Sequence, residues 1–87
     1  MDVIFLRQFS KDIDKLPTSI RKKLTRVIIE AEDAENLSAV QHCKKLHNHN
    51  TAYRIRMGDY RLGFYFENNQ IIMARVVHRK DIYKLFP

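Results

Sequence analysis

The hydrophobic positions change their period once along the chain. In the first part they recur every three to four residues: Phe9, Ile13 and Leu16, then Ile20, Leu24, Val27, Ile28 and Ala31. This spacing predicts a helix over 8–16, stopped by Pro17, and a second over 18–34. A short apolar run, residues 2–6, precedes them and reads as a strand. Residues 36–50 hold no sustained period and are expected to form a turn or short helix leading into a loop. From residue 52 apolar and polar positions alternate, which predicts three successive strands over 52–57, 60–67 and 71–79. The first two are joined by Gly58-Asp59, and glycine first in a two-residue loop favours a type II′ turn.

Alternation assigns the faces. Tyr53, Ile55, Met57, Tyr60, Leu62, Phe64 and Phe66 share one face, expected to pack on the helices. Arg54, Arg56, Arg61 and Tyr65 share the other. A Gly58-Asp59 turn sets Arg56 directly opposite Arg61, a like-charge pair that destabilises a sheet. The third strand depends on its connection at 67–70. An even loop sets Arg75 against Leu62 in the core. An odd loop or a bulge instead puts Ile72, Ala74 and Val76 in the core, and Arg75 and Arg79 beside the other arginines. Burying an unpaired arginine is costly, so the second arrangement is expected. The predicted fold class is α+β: two N-terminal helices packed on one face of a small, mostly antiparallel sheet, with the opposite face open and basic.

Composition narrows the class. Eighty-seven residues, 45% hydrophobic and 30% charged, suit one soluble globular domain over 1–87. No apolar run approaches a membrane span, and the start "MDVIFLRQF" lacks the pattern of a signal peptide. The single Cys43 cannot form an internal disulfide, which suits a reducing compartment, and a cytoplasmic location is expected. The formal charge of +6 is unevenly placed: residues 1–43 are neutral overall, so the whole excess lies in 44–87. Charge confined to one half suits a phosphate-rich or acidic partner. The cationic face of the second helix, Arg21, Lys22, Lys23 and Arg26, reads as a solvated one.

The open face therefore gathers Arg54, Arg56, Arg61, Arg75 and Arg79, and the C-terminal "HRKDIYKLFP" adds Tyr83 and Lys84. Guanidinium forks bind phosphate oxygens bidentately, and an aromatic ring can stack on an unpaired base. The stretches "CKKLHNHNTAYRIRMGDYRLGFYF" and "VVHRKDIYKLFP" carry a resemblance to the RelE/ParE toxin superfamily, in its RelE-like branch. The resemblance covers essentially the whole chain, in the order strand, two helices, sheet.

It implies the toxin of a type II toxin–antitoxin system: a ribosome-dependent endoribonuclease that cuts mRNA in the A site. The implied reaction is attack of a ribose 2′-hydroxyl on the adjacent phosphate, leaving a 2′,3′-cyclic phosphate and a 5′-hydroxyl, with no metal or other cofactor. The family's paired basic residues match Arg54 and Arg56, its phosphate clamp matches Arg61, its late-strand arginine matches Arg79 and its C-terminal tyrosine matches Tyr83. Catalytic roles are thus expected for Arg56, Arg61, Arg79 and Tyr83, and substrate binding for Arg54, Arg75 and Lys84. The family's best-known member has lysines where this chain has Arg54 and Arg56, and arginine titrates too high to act as an ordinary base at neutral pH. The alternative reading is a ParE-like inhibitor of DNA gyrase, which acts by binding. Implied partners are a cognate antitoxin with an acidic and apolar wrapping segment, and the ribosome with its mRNA. DNA is expected only through the toxin–antitoxin complex, and no membrane is expected.

Other signals are weaker. His42, Cys43, His47 and His49 fall within eight residues, but their spacing fits no standard zinc pattern and no metal site is expected. Parity points His78 toward the helices. Leu85 and Phe86 are expected to anchor the tail.

Overall fold

A computed structural model describes the chain from Met1 to Pro87. Strand β1 (Asp2–Phe5) leads into α1 (Arg7–Ile13) and α2 (Thr18–Asp33). After a 3₁₀ turn at Leu37–Ala39 come β2 (Cys43–Lys45), β3 (Ala52–Met57), β4 (Tyr60–Glu67) and β5 (Gln70–His78), then a single helical turn, α3 (Ile82–Leu85). The sheet order is β1-β5-β4-β3-β2. Only β1 and β5 run parallel; the other pairs are antiparallel. The fold is α+β, with α1 and α2 on one face, as the periodicity predicts.

Two elements differ from expectation. Helix α1 ends at Ile13, short of residue 16, and Lys15 and Leu16 close as turns onto Asp12 and Ile13. Strand β2 lies within the predicted loop. Three residues are too few to show an alternating pattern, but their pairing with β3, Lys44 opposite Arg54, makes them the sheet edge.

The main core lies between the helices and the sheet. Phe9, Leu16, Ile20, Leu24 and Ala31 meet Ile55, Met57, Leu62, Phe64, Ile71, Met73 and Val76. The strand parity of β3 and β4 is therefore the predicted one, and Tyr53 stacks on Phe64 on the inner side at 5.4 Å.

The register of β5 corrects the sequence-based assignment. Asn68 and Asn69 both have positive φ, 51° and 60°, which closes a two-residue turn and pairs Glu67 with Gln70. This even loop puts Ile71 and Met73 in the core, not Ile72 and Ala74. Continued unbroken, it would bring Arg75 opposite Leu62. A bulge between Gly63 and Phe64 prevents that: Phe64 pairs with Met73, Gly63 with Arg75, and Leu62 with Val76. The extra residue, Ala74, faces the other side. Loop parity and bulge act together here, although alternation along the chain presents them as alternatives.

Asp12 on α1 holds the bulge. Its carboxylate accepts Arg75 Nε at 2.8 Å, Arg75 Nη2 at 3.2 Å, and the Val76 backbone N–H at 3.1 Å. Asp12 is only 4% exposed. Burial pushes its carboxyl up, but the hydrogen bonds from Arg75, Val76 and Gln8, with the Arg75 charge, outweigh it and hold the group below its ordinary value.

The second face of the sheet is not fully open. Leu46, Ala52, Ala74, Ile82 and Phe86 form a smaller core there, beneath α3 and the tail. Phe86 anchors the tail as expected, whereas Leu85 is exposed. Gly63 permits this layer: a Cβ there would lie 2.5 Å from Phe86 Cδ2 and 2.6 Å from Cγ.

Two stability outcomes follow from these contacts. Asp12→Ala should destabilise the fold by about 3 kcal/mol at neutral pH, the low end for breaking a buried pair, because Arg75 keeps some solvent. The folded-state carboxyl is depressed, so its contribution is complete above about pH 4 and is lost as pH falls through the folded-state value. Urea melts should show the parent losing this increment in acid and the variant lacking it. Gly63→Ala should cost about 1–3 kcal/mol by overpacking, and much less in a Phe86→Ala background. A double-mutant cycle reads the coupling; additive losses would place the ring elsewhere.

Candidate functional site: an arginine cluster at the hairpin

The β3–β4 hairpin builds the site. Gly58 has φ 62° and Asp59 does not enter the left-handed region, the pattern of a type II′ turn with glycine first. Met57 pairs with Tyr60, and Arg56 with Arg61. The Arg56 N–H donates sideways to His42 O of the β2 edge, at 3.2 Å, so Arg56 and Arg61 form a non-hydrogen-bonded pair, the closer kind.

Arg61 escapes that repulsion only in part. Its Nη1 donates to Gly58 O at 2.6 Å and to Tyr60 O at 3.0 Å, which pins the guanidinium to the turn. Burial, then the charges of Arg54, Arg56 and Arg79, pull Arg61 below its ordinary pKa, while the Tyr83 phenol acts in the opposite sense. Three arginine charges and the Tyr83 phenol thus act on one fixed guanidinium.

Arg79 follows β5 and closes against the hairpin turn. Its N–H donates to Asp59 O at 2.7 Å, and its Nε lies 3.8 Å from Asp59 Oδ1 with both side chains largely in solvent. Tyr83 stands on α3, 70% exposed, with its turn held down by the buried Ile82 and Phe86. Beside it a cleft of about 380 Å³ is lined by Lys44, Lys45, Leu46, His47, His49, Arg54, Tyr83, Phe86 and Pro87. On the other side of the hairpin a hollow of about 310 Å³ brings Lys23, Arg26 and His42 to Arg56.

The structure thus brings Arg54, Arg56, Arg61, Arg79 and Tyr83 together. It removes Arg75, expected from alternation on the open face: the bulge and Asp12 draw it toward α1, where it is ion-paired. Lys84 shares the α3 turn but leans to Asp81 at 3.9 Å and does not line the cleft. Lys44, His47 and His49 are additions. Their strand pairing and loop were illegible, though all three lie inside the stretch that carried the family resemblance.

The remaining reactive groups point away from chemistry. Burial pushes the Cys43 thiol up to about 11, against the opposing charge of Arg54, so it is a poor nucleophile. His78 is half-buried, with its ring edge-on to Tyr60 at 5.4 Å, and its Nδ1 accepts the Lys80 N–H at 3.2 Å. It lies on the helix side, as parity predicts. No helix is long and apolar enough to cross a membrane.

Known proteins share this fold. The chain is 39% identical over 88 residues to Toxin RelE3 of Methanocaldococcus jannaschii, covering 100% of both chains. It is similar to the toxin in the RelB-RelE antitoxin-toxin complex from Methanococcus jannaschii, at 37% identity and a TM-score of 0.84, over 97% of this chain and 99% of that one. The isolated E. coli RelE toxin shares the fold, with a TM-score of 0.72 at 20% identity over 88% and 82% of the two chains. The family profile described as the ParE toxin of type II toxin-antitoxin system, parDE, matches residues 3–83, and the chain belongs to this RelE/ParE family of type II toxins.

Proposed function

We propose that the protein is a metal-independent endoribonuclease that cuts mRNA on the ribosome by 2′-hydroxyl attack on the adjacent phosphate. The observation that carries this reading is the guanidinium of Arg61, fixed on the turn, paired across the strands with Arg56 and acted on by the charges of Arg54 and Arg79. A phosphate under attack gains negative charge on its oxygens, and cations already in place stabilise it without reorganising. The turn carbonyls occupy Nη1 only, so the rest of the Arg61 fork stays free for phosphate oxygens.

Arg79 supplies charge at the leaving oxygen, and Arg54 and Arg56 hold the flanking backbone. Tyr83, free in solvent at the cleft, stacks on an unpaired base. Arg75 and Lys84 are left out of the site on the geometry above. A cytoplasmic location follows from this activity. The partner is a cognate antitoxin, a reading supported by the RelB-bound archaeal relative; a segment rich in acidic and apolar side chains would complement the basic face.

Primer extension on mRNA from ribosomes exposed to the protein should show discrete cuts inside translated codons. Intact mRNA together with inhibited gyrase supercoiling would replace this reading with the DNA gyrase one.

Arg61→Gln separates site from scaffold. It relieves the Arg56 repulsion, about 0.2–1 kcal/mol, and loses two hydrogen bonds of about 0.5–1.5 kcal/mol each that solvent partly replaces. Stability should therefore change by no more than about 1 kcal/mol, while cleavage falls about 10²–10³-fold. Thermal midpoints and ribosome-dependent cleavage rates measured side by side check both; parental cleavage would remove Arg61 from the site.

A further inference from the structure

The cleavage reading leaves one role unfilled. Something must take the proton of the attacking 2′-hydroxyl, and a guanidinium, which holds its charge at neutral pH, does not serve. Of the four histidines, His78 lies on the helix-packed face and His42 beyond Arg56, on the α2 side of the hairpin. His47 and His49 line the cleft that Arg54 and Tyr83 also line.

Their turn is firmly placed. Leu46 is buried in the small core, and its N–H donates to Ala52 O at 2.9 Å. The His49 N–H returns to Leu46 O at 3.3 Å, and Asn48 takes the left-handed conformation at φ 63° that turns the chain between the two histidines. Both imidazoles are exposed at a cleft of about 380 Å³, within the size range of small-ligand sites. The other titratable side chains on that cleft are Lys44 and Lys45 from β2, Arg54 from β3 and Tyr83 from α3. All are cations or a phenol, and none is a carboxylate that could take the role.

We propose that the His47-Asn48-His49 turn supplies the general base for 2′-hydroxyl attack. This rests on the mRNA-cleavage reading. An imidazole nitrogen takes the hydroxyl proton, and the oxygen's electron pair forms the new P–O2′ bond. The P–O5′ bond breaks with its electron pair going to O5′, which takes a proton from water while the Arg79 charge stabilises it. The products are a 2′,3′-cyclic phosphate and a 5′-hydroxyl. The imidazolium then returns its proton to solvent, and the balance closes without a further reactant.

The test is single-turnover cleavage of ribosome-bound mRNA by the full chain and by His47→Ala, His49→Ala and the double variant, from pH 5 to 8. The parent rate should rise between pH 5 and 8, because only the uncharged form of a base accepts the hydroxyl proton. The double variant should fall about 10²–10⁴-fold and lose that rise, with unchanged thermal midpoint and half-saturating ribosome concentration. One single variant should account for most of the loss. A double variant that cuts like the parent overturns the proposal alone. So does one that keeps the pH dependence and only needs more ribosomes, since that is phosphate binding. A parent that cuts no mRNA overturns this proposal together with the cleavage reading.

Discussion

Four donors converge on the Asp12 carboxylate: two from the Arg75 guanidinium, one from the Val76 backbone and one from the Gln8 side chain. The register of the sheet depends on them. The Asn68-Asn69 turn starts β5 in a register that fills the core with Ile71 and Met73, and the same register would then carry Arg75 beneath Leu62. One extra residue at Ala74 resets the strand, and the carboxylate compensates both consequences, the displaced guanidinium and the Val76 N–H at the irregularity. A partnered charge is tolerable in a place where an unpaired one is not. Because β5 is the strand to which β1, β4 and α1 all attach, this contact sets the positions of most other elements.

The same reset acts on the opposite face. With Ala74 turned there, its small side chain joins Ala52, Leu46, Ile82 and Phe86, and the Phe86 ring lies over Gly63 where no side chain intervenes. The tail is thereby tied across the sheet, and α3 can present Tyr83 beside the arginines. A helix of a single turn has little stability of its own; the buried residues on either side of Tyr83 hold it in place. The exposed functional ring thus depends on the small second core.

The arginine cluster is a local liability that the hairpin contains rather than removes. Arg61 binds the turn carbonyls and Arg79 lies near Asp59, yet Arg54 and Arg56 carry no carboxylate partner of their own. Repulsion of this kind is opposed by the core behind the strands, where Ile55, Leu62 and Met57 are almost wholly buried. An anionic ligand would relieve the residue of that repulsion, which links the electrostatic cost of the free protein to its affinity for phosphate.

The local pattern of the chain determined both N-terminal helices, the type II′ hairpin, the parity of β3 and β4, and the facing of Arg56 on Arg61. Those features depend on neighbours a few residues apart, and period and turn chemistry report them. The tertiary structure decided the direction of Arg75, the existence of β2 and the seat of the tail. Each depends on a partner distant in sequence: Asp12 lies 63 residues from Arg75, β2 is ordered by pairing with β3, and Phe86 needs the bare surface of Gly63. Alternation records which positions differ in polarity, but a bulge shifts every later side chain to the other face, and only contacts between distant segments determine where it falls.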